Sequence, residues 1–314
     1  MAVQTLPVDT EGRVRAATGP GQERGEGRAG WALATPFLAF YVLFLIGPTV
    51  YGVVMSFFNS SLQHNGLGGL AGPGNYVEAL TSSDFWSAMW HTVLFTLMTT
   101  PPLVAVALML AIFTDRLRRG RWFFRLVFFA PYVVPSAAMA LIWTWLYTPQ
   151  IGLWDKWLTA VGITNPPNWL GDPSWAMASV ALATVWWTLG FNFVLYLAGL
   201  QEIPRNLYEA SEVDGARRWH QLRYITIPLL KRTTMLVLVL QIIASLKVFD
   251  QIFLMTAGGP NYSTRPLLEY VYDIGFTDFR TGYAAAASML YFLVILAVSL
   301  VWFFVNRRQQ QKEA

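Results

Sequence analysis

Residues 209–232 read EASEVDGARRWHQLRYITIPLLKR, and strongly apolar sequence flanks them on both sides. Acids and arginines interleaved around a glycine suit non-covalent recognition rather than bond-breaking. Ile203-Pro204 opens the segment, and proline is tolerated in a first helical turn because its missing N–H is an orphan there. The spacing predicts a short helix through RNLYEASEV, a turn at Asp214-Gly215, and a second short helix, ARRWHQLRY, capped by Asp214. On that second helix Ala216, Trp219 and Arg223 fall at i, i+3 and i+7, one face, with Trp219 the only large apolar group on a cationic surface. Pro228 then precedes the next apolar stretch. The expectation is an ordered helix–turn–helix knob with a protruding aromatic, shaped to enter a groove in another protein. An amphipathic helix lying on lipid headgroups is the plainer reading, but Glu209, Glu212 and Asp214 among the arginines disfavour it.

A second set of polar side chains lies inside the apolar stretches on either side. Thr184, Trp187 and Thr188 recur at i, i+3 and i+4, with Asn192 beyond them; Gln241 and Ser245 are i, i+4, and Lys247 and Asp250, at i, i+3, are spaced to pair, with Gln251 following. Polar groups in a span are costly and are functional candidates by default. Against that, Ser and Thr often bond their own helix backbone, and Trp near a span end often belongs to the interfacial belt. Both readings stay open here.

Other chemistries lack their residues. No GxxxxGK[ST] phosphate loop is present, and none of the four lysines follows a glycine. There is no HExxH, no GxSxG and no cysteine, and His64, His91 and His220 are scattered. No nucleophile, metal or bound cofactor is expected.

The elements that must hold these residues are membrane spans. Of the 314 residues 55% are apolar and 13% charged, against about 25% charged in soluble domains. A spanning helix needs roughly 20 apolar residues. Six stretches qualify, near 31–58, 90–113, 122–147, 174–200, 233–255 and 283–305. The predicted class is therefore all-α, a polytopic membrane protein with six transmembrane helices. Basic residues cluster in the N-terminal tail, after the second and fourth stretches, and in the C-terminal tail, while Lys156, Arg265 and Arg280 stand alone on the other side. The positive-inside rule places both termini in the cytoplasm, so the net charge of +4 is a topology signal and not one for nucleic acid. Residues 1–29, rich in Gly, Arg and Glu, read as a disordered tail; 30–306 form the spanning domain with a cytoplasmic loop at 203–232, and 307–314 a C-terminal tail. Gly47-Pro48, Pro101-Pro102, Pro131, Pro135 and Gly190 punctuate the spans, as packing features or as the bends of a gated cavity.

LYEASEVDGARRWHQLRYITIPLL resembles the EAA loop of binding-protein-dependent ABC importer permeases. The motif runs Glu209-Ala210-Ser211, then Gly215, then Ile225-Thr226-Ile227-Pro228, with serine in place of the third alanine. GPGNYVEALTSSDFWSAMWHTVLFT (72–96), FDQIFLMTAGGPNYST (249–264) and GYAAAASML (282–290) resemble the sugar branch, the maltose and glycerol-phosphate-type permeases. The resemblance implies the type I importer permease fold in the bacterial inner membrane. It also implies a second six-span permease completing the pore, two ATPase subunits that use ATP and Mg, and an extracytoplasmic solute-binding protein. Glu209 would then contact the ATPase, Gly215 permit the turn and Trp219 anchor in a cleft. Sugars are bound by planar polar groups and aromatic stacking, which the Trp and amide side chains of the fourth and fifth stretches supply. Other cargoes within the class are glycerol phosphate, polyamines or oxyanions. A channel or secondary transporter would want ionisable groups in several spans or inverted repeats, and neither is evident. The segments 59–89, 148–173 and 257–282 read as outer loops, either docking surfaces or plain connections.

Overall fold

The computed structural model describes residues 22–64, 66–117 and 119–313. Among them every regular element is a helix, and one antiparallel bridge, Phe58 to Leu70, builds no sheet.

The chain forms two compact units divided after Val54. The first holds α1 (Gln22–Tyr41), a π-helical turn at Val42–Ile46 and most of α2 (Gly47–Met55), which together make the span Leu33–Met55. The wide turn sits immediately before Pro48. A proline removes one backbone bond and crowds the carbonyl four residues earlier, and a π turn absorbs that mismatch. The expected tail needs correction: residues 1–21 lie outside the described residues, but 22–29 belong to α1. An existing apolar helix supplies the nucleus, so Gln, Glu, Arg and Ala extend it at little cost.

The second unit is built on three long helices, α4 (Ser83–Arg116), α8 (Pro173–Gln201) and α15 (Thr281–Glu313), with the short α3 (Gly74–Thr81) before α4 and the short α7 (Leu153–Ala160) before α8. Ser82 caps α4 by accepting from the Phe85 amide at 3.3 Å. Pro101-Pro102 lies inside α4 without ending it. The residues expected as a C-terminal tail, 307–313, continue α15 as helix.

Two expected spans are broken. The third is α5 (Arg121–Val133) and α6 (Ser136–Leu146), bent by 97°. Val134 precedes Pro135, and the proline ring drives that residue out of the helical region, to φ −68°, ψ 130°. The fifth ends as helix at Leu246, where α12 (Lys231–Leu246) gives way to irregular Lys247–Phe249 before α13 (Asp250–Met255). By length and composition four helices can cross a membrane, or six if each of two bent pairs counts once.

Three clusters form the core. Phe95, Met139, Trp143, Val180 and Ile252 join α4, α6, α8 and α13. Ala107, Ala111, Phe193, Tyr196 and Val237 join α4, α8 and α12. Phe85, Leu267, Tyr270, Tyr283 and Tyr291 join α4, α14 (Leu267–Tyr272) and α15. The stretch between α13 and α14, expected as part of an outer loop, folds back onto α4: the Leu267 amide donates to Thr92 Oγ1 at 2.9 Å, and His91 Nδ1 lies 3.2 Å from the Arg265 carbonyl.

Gly190 decides how closely α5 and α8 approach, since a Cβ there would lie 2.7 Å from the Phe128 carbonyl oxygen and 2.8 Å from Phe129 Cα. Gly190→Val is therefore expected to destabilise the chain by about 1–3 kcal/mol, the usual cost of overpacking. Thermal unfolding in detergent reads this directly, and an unchanged midpoint would mean that the two helices separate without cost.

Candidate functional site

The knob forms as two helices, α9 (Arg205–Val213) and α10 (Arg218–Gln221), the second running on through a π turn at Leu222–Thr226 into α11 (Ile227–Leu229). Pro204 stands at the N-cap of α9, where its missing N–H costs little, and Pro228 follows the π turn, which absorbs the backbone bond it removes. The chain then bends by 59° into α12.

The turn between α9 and α10 differs from expectation in one respect. Asp214 does not cap the second helix; it ends the first, and Arg217 is the residue before α10. Gly215 follows at φ +77°, its amide donating to the Glu212 carbonyl at 3.0 Å, and the Ala216 amide donates to the Ser211 carbonyl at 2.9 Å. That is a Schellman ending, and it uses the carbonyls of α9 before a side-chain cap on α10 is needed. The left-handed backbone is why glycine stands at 215.

The expected face of Ala216, Trp219 and Arg223 also changes. Ala216 lies in the turn and Arg223 in the π turn, whose extra residue shifts the register. Trp219 is open, 67% exposed, but so are Val213 at 89% and Tyr224 at 73%, and Leu207, Ile227 and Leu229 are exposed to a lesser degree, so Trp219 is not the knob's one large apolar group at the surface. Glu209 and Ala210 are exposed beside them.

What stiffens the knob is a set of residues that spacing did not single out. Gln221 Nε2 donates to Ser211 Oγ at 3.1 Å, and Ser211 Oγ donates to the Tyr208 carbonyl at 2.7 Å. The Tyr208 and Thr226 hydroxyls are 2.9 Å apart. Serine in the third motif position thus clasps α10 to α9, which an alanine could not do. The polarity of Gln221 was visible in the sequence; its partner ten residues earlier was not.

The intramembrane polar residues separate into four sets. Asn192, Gln241 and Ser245 come together: Asn192 Nδ2 donates to Gln241 Oε1 at 2.9 Å, Gln241 Nε2 to Ser245 Oγ at 3.0 Å, and Ser245 Oγ meets Thr99 Oγ1 at 3.1 Å. This buried chain ties α8, α12 and α4 together, with Thr99 as its unforeseen member. Thr184 and Thr188 donate to the carbonyls of Val180 and Thr184 on their own helix, at 2.9 and 2.8 Å. Trp187 Nε1 donates to the Val134 carbonyl at 2.8 Å, at the bend of the third span. Lys247, Asp250 and Gln251 gather at the break in the fifth span, where Lys247 and Asp250 are exposed. Those two do not pair. Helix ends at Leu246, so the i, i+3 spacing that would have joined them is lost.

A charged cluster in the segment around α14 escaped the sequence reading. Glu269 is 1% exposed, with Oε2 unbonded. Arg265 reaches Asp273 at 3.8 Å and lies over the Tyr262 ring, 3.9 Å from its centroid. Burial, reinforced by the Asp273 charge and opposed by Arg265, pushes the Glu269 carboxyl up to about 7. An acid inside the run LLEYVY was the available signal.

The described residues thus form a helical bundle with an ordered knob between its fourth and fifth spans. Residues 65–311 match the model for "binding-protein-dependent transport system inner membrane component", and the chain belongs to that family. It is 33% identical to the trehalose/maltose transport system permease protein MalF of Thermococcus litoralis, covering 90% of this chain and 95% of that one. It is 32% identical to the sulfoquinovosyl glycerol transport system permease protein SmoG of Agrobacterium fabrum, covering 88% and 89%. Its fold matches a chain of a bacterial ABC transporter crystallised as an importer of the acidic polysaccharide alginate. That match has a TM-score of 0.79, covers 92% of this chain and 98% of that one, and has 23% identity.

Two outcomes follow from this geometry. Gln221→Ala should loosen the knob by about 1 kcal/mol, the worth of a typical hydrogen bond, so amides of 216–226 should exchange several-fold faster while the spans keep their protection; identical exchange would remove Gln221 from the clasp. Glu269 holds its proton more tightly folded than unfolded, so its contribution to stability falls as pH rises from about 4.5 to about 7. Glu269→Gln should flatten that slope and melt higher than the parent above pH 7; parallel pH profiles would count against the raised carboxyl.

Proposed function

We propose that this chain forms half of the translocation pore of an ATP-driven importer and receives its motion through the knob at 203–232. The observation that carries this is the rigid, exposed helix pair. It is held by a Schellman turn at Gly215 and the Gln221–Ser211 bond, and it presents Val213, Trp219 and Tyr224 on a chain with no phosphate loop. A subunit without fuel needs a stiff element to take up displacement, and exposed aromatic anchors are what a docking groove engages. In this reading Glu209, Ala210, Ser211, Asp214, Gly215, Ala216, Trp219 and Pro228 make the surface and frame of the knob. It docks on one of two ATPase subunits that bind ATP and Mg. Both termini and the knob are cytoplasmic, on the basic side of the chain. A second six-span permease completes the pore, and a solute-binding protein delivers cargo from the other face.

The cargo class is a sugar, of di- or oligosaccharide size. The relatives' sugar names support this, as do the Trp and amide side chains of α8 and α12. Among the proposed path residues, Thr188, Trp187, Lys247, Asp250 and Gln251 retain surface in the single chain, whereas Thr184, Asn192, Gln241 and Ser245 would frame the path from behind.

Co-purification tests the reading. The chain, expressed with its genomic neighbours and pulled from mild detergent, should bring an ATPase and a second six-span protein. Gly215→Val, which strains the left-handed turn by roughly 1–2 kcal/mol, should lose the ATPase while still inserting in the membrane. Recovery of this chain alone, under conditions that hold other importers together, would sink the proposal.

A further inference from the structure

Hollows meet in the angle where the knob joins the spans. One, of about 780 Å³, lies between the end of α4, the start of α5 and both knob helices. Arg116, Arg121, Arg205 and Arg218 line it, with Asp115 and Glu212. Two of these charges are already committed to each other: Arg121 donates to the Leu117 carbonyl at 2.7 Å and to the Asp115 carbonyl, and its guanidinium lies 3.6 Å from the Asp115 carboxylate. Glu212 Oε1 is met by Gln221 Nε2 at 3.5 Å. Among the described residues no carboxylate pairs with Arg116, Arg205 or Arg218. With Arg121 and Asp115 offsetting each other, the cavity carries three guanidiniums against the one carboxylate of Glu212, a net positive lining.

It does not end in water on every side. A hollow of about 320 Å³ lined by Met109, Ile112, Phe113, Arg116, Leu117 and Leu222 shares Ile112 and Arg116 with it. Apart from Arg116 that lining is apolar, and it runs back along the surface of a membrane span, where Met109 is 59% and Phe113 49% exposed. A cationic pocket opening onto an apolar groove at the end of a span is complementary to one class of molecule. An anionic phospholipid places its phosphate among the guanidiniums and an acyl chain along the groove. A free phosphate would leave the groove bare, and a protein segment would have no use for three unpaired arginines beside a lipid-facing helix.

We propose that an anionic phospholipid binds here, with its phosphate held by Arg116, Arg205 and Arg218 and its chain against Met109, Phe113 and Leu222. Arg116 closes α4, Arg205 opens α9 and Arg218 opens α10. A lipid gripped by all three ties both knob helices to the end of a span, so the membrane itself braces the element that receives the motion. This goes beyond the importer reading, and lipid retention can be measured whether or not transport occurs.

The test uses the full chain with whatever subunits accompany it, held in nanodiscs of phosphatidylcholine with or without phosphatidylglycerol, then released into detergent for native mass spectrometry. The parent should retain phosphatidylglycerol about tenfold over phosphatidylcholine, as expected for several cations near one anionic headgroup. The triple variant Arg116→Gln, Arg205→Gln, Arg218→Gln should lose that preference, and Lys at all three positions should restore most of it. If the triple variant elutes aggregated, Arg116→Gln alone should lower retention several-fold. Equal retention of the two lipids, or an unchanged preference in the Gln variants, overturns the proposal. So does inorganic phosphate bound with no lipid retained, which would make this a free-anion site.

Discussion

Within hydrocarbon no water is available to a backbone N–H or C=O, so each must find its partner in the protein. The second unit depends on how it meets this requirement where its helices break. At the bend of the third span the Val134 carbonyl, released by Pro135, accepts from the Trp187 indole. At the end of α12 the Leu246 carbonyl accepts from the Tyr291 hydroxyl. Each break is thus closed by a side chain from another helix, and each such bond fixes the relative position of two spans. Bends that would otherwise be intolerable become the joints that define the bundle.

The same requirement divides the polar residues by duty. Asn192, Gln241, Ser245 and Thr99 bond to one another across three helices, leaving Asn192 Oδ1 without a partner, and such bonds gain most where no water competes. Lys247 and Asp250 escape it because the fifth span loses its helix beside them, and they face outward from the single chain. Between the spans, at 203–232, water is available, and stiffness comes from the Gly215 turn and the clasp of Gln221, Ser211 and Tyr208.

Some of this was legible residue by residue. The run RNLYEASEV is helix α9 with the bounds its pattern implied, because the proline before it and the glycine after it act through local backbone geometry. The long apolar stretches are helices for the same reason. The role of Asp214 was not legible: a carboxylate before a glycine suits either the end of one helix or the start of the next, and the Schellman bonds of α9 decide. Nor was the setting of Trp219, because Ala216 falls in the turn before α10, Arg223 falls in a π turn, and Val213 and Tyr224 are exposed as well.

By itself the sequence determined the spans, the knob between the fourth and fifth of them, a turn at Asp214-Gly215 and the absence of a phosphate loop. These follow from composition and from interactions a few residues long. Only the tertiary structure decided that Lys247 and Asp250 stand apart, that Ser211 clasps Gln221, that Asn192 meets Gln241 across 49 residues of chain, and that Glu269 is buried beside Arg265. Each of those depends on which helix packs against which, and a one-dimensional pattern carries the faces of a helix but not the identity of its neighbour.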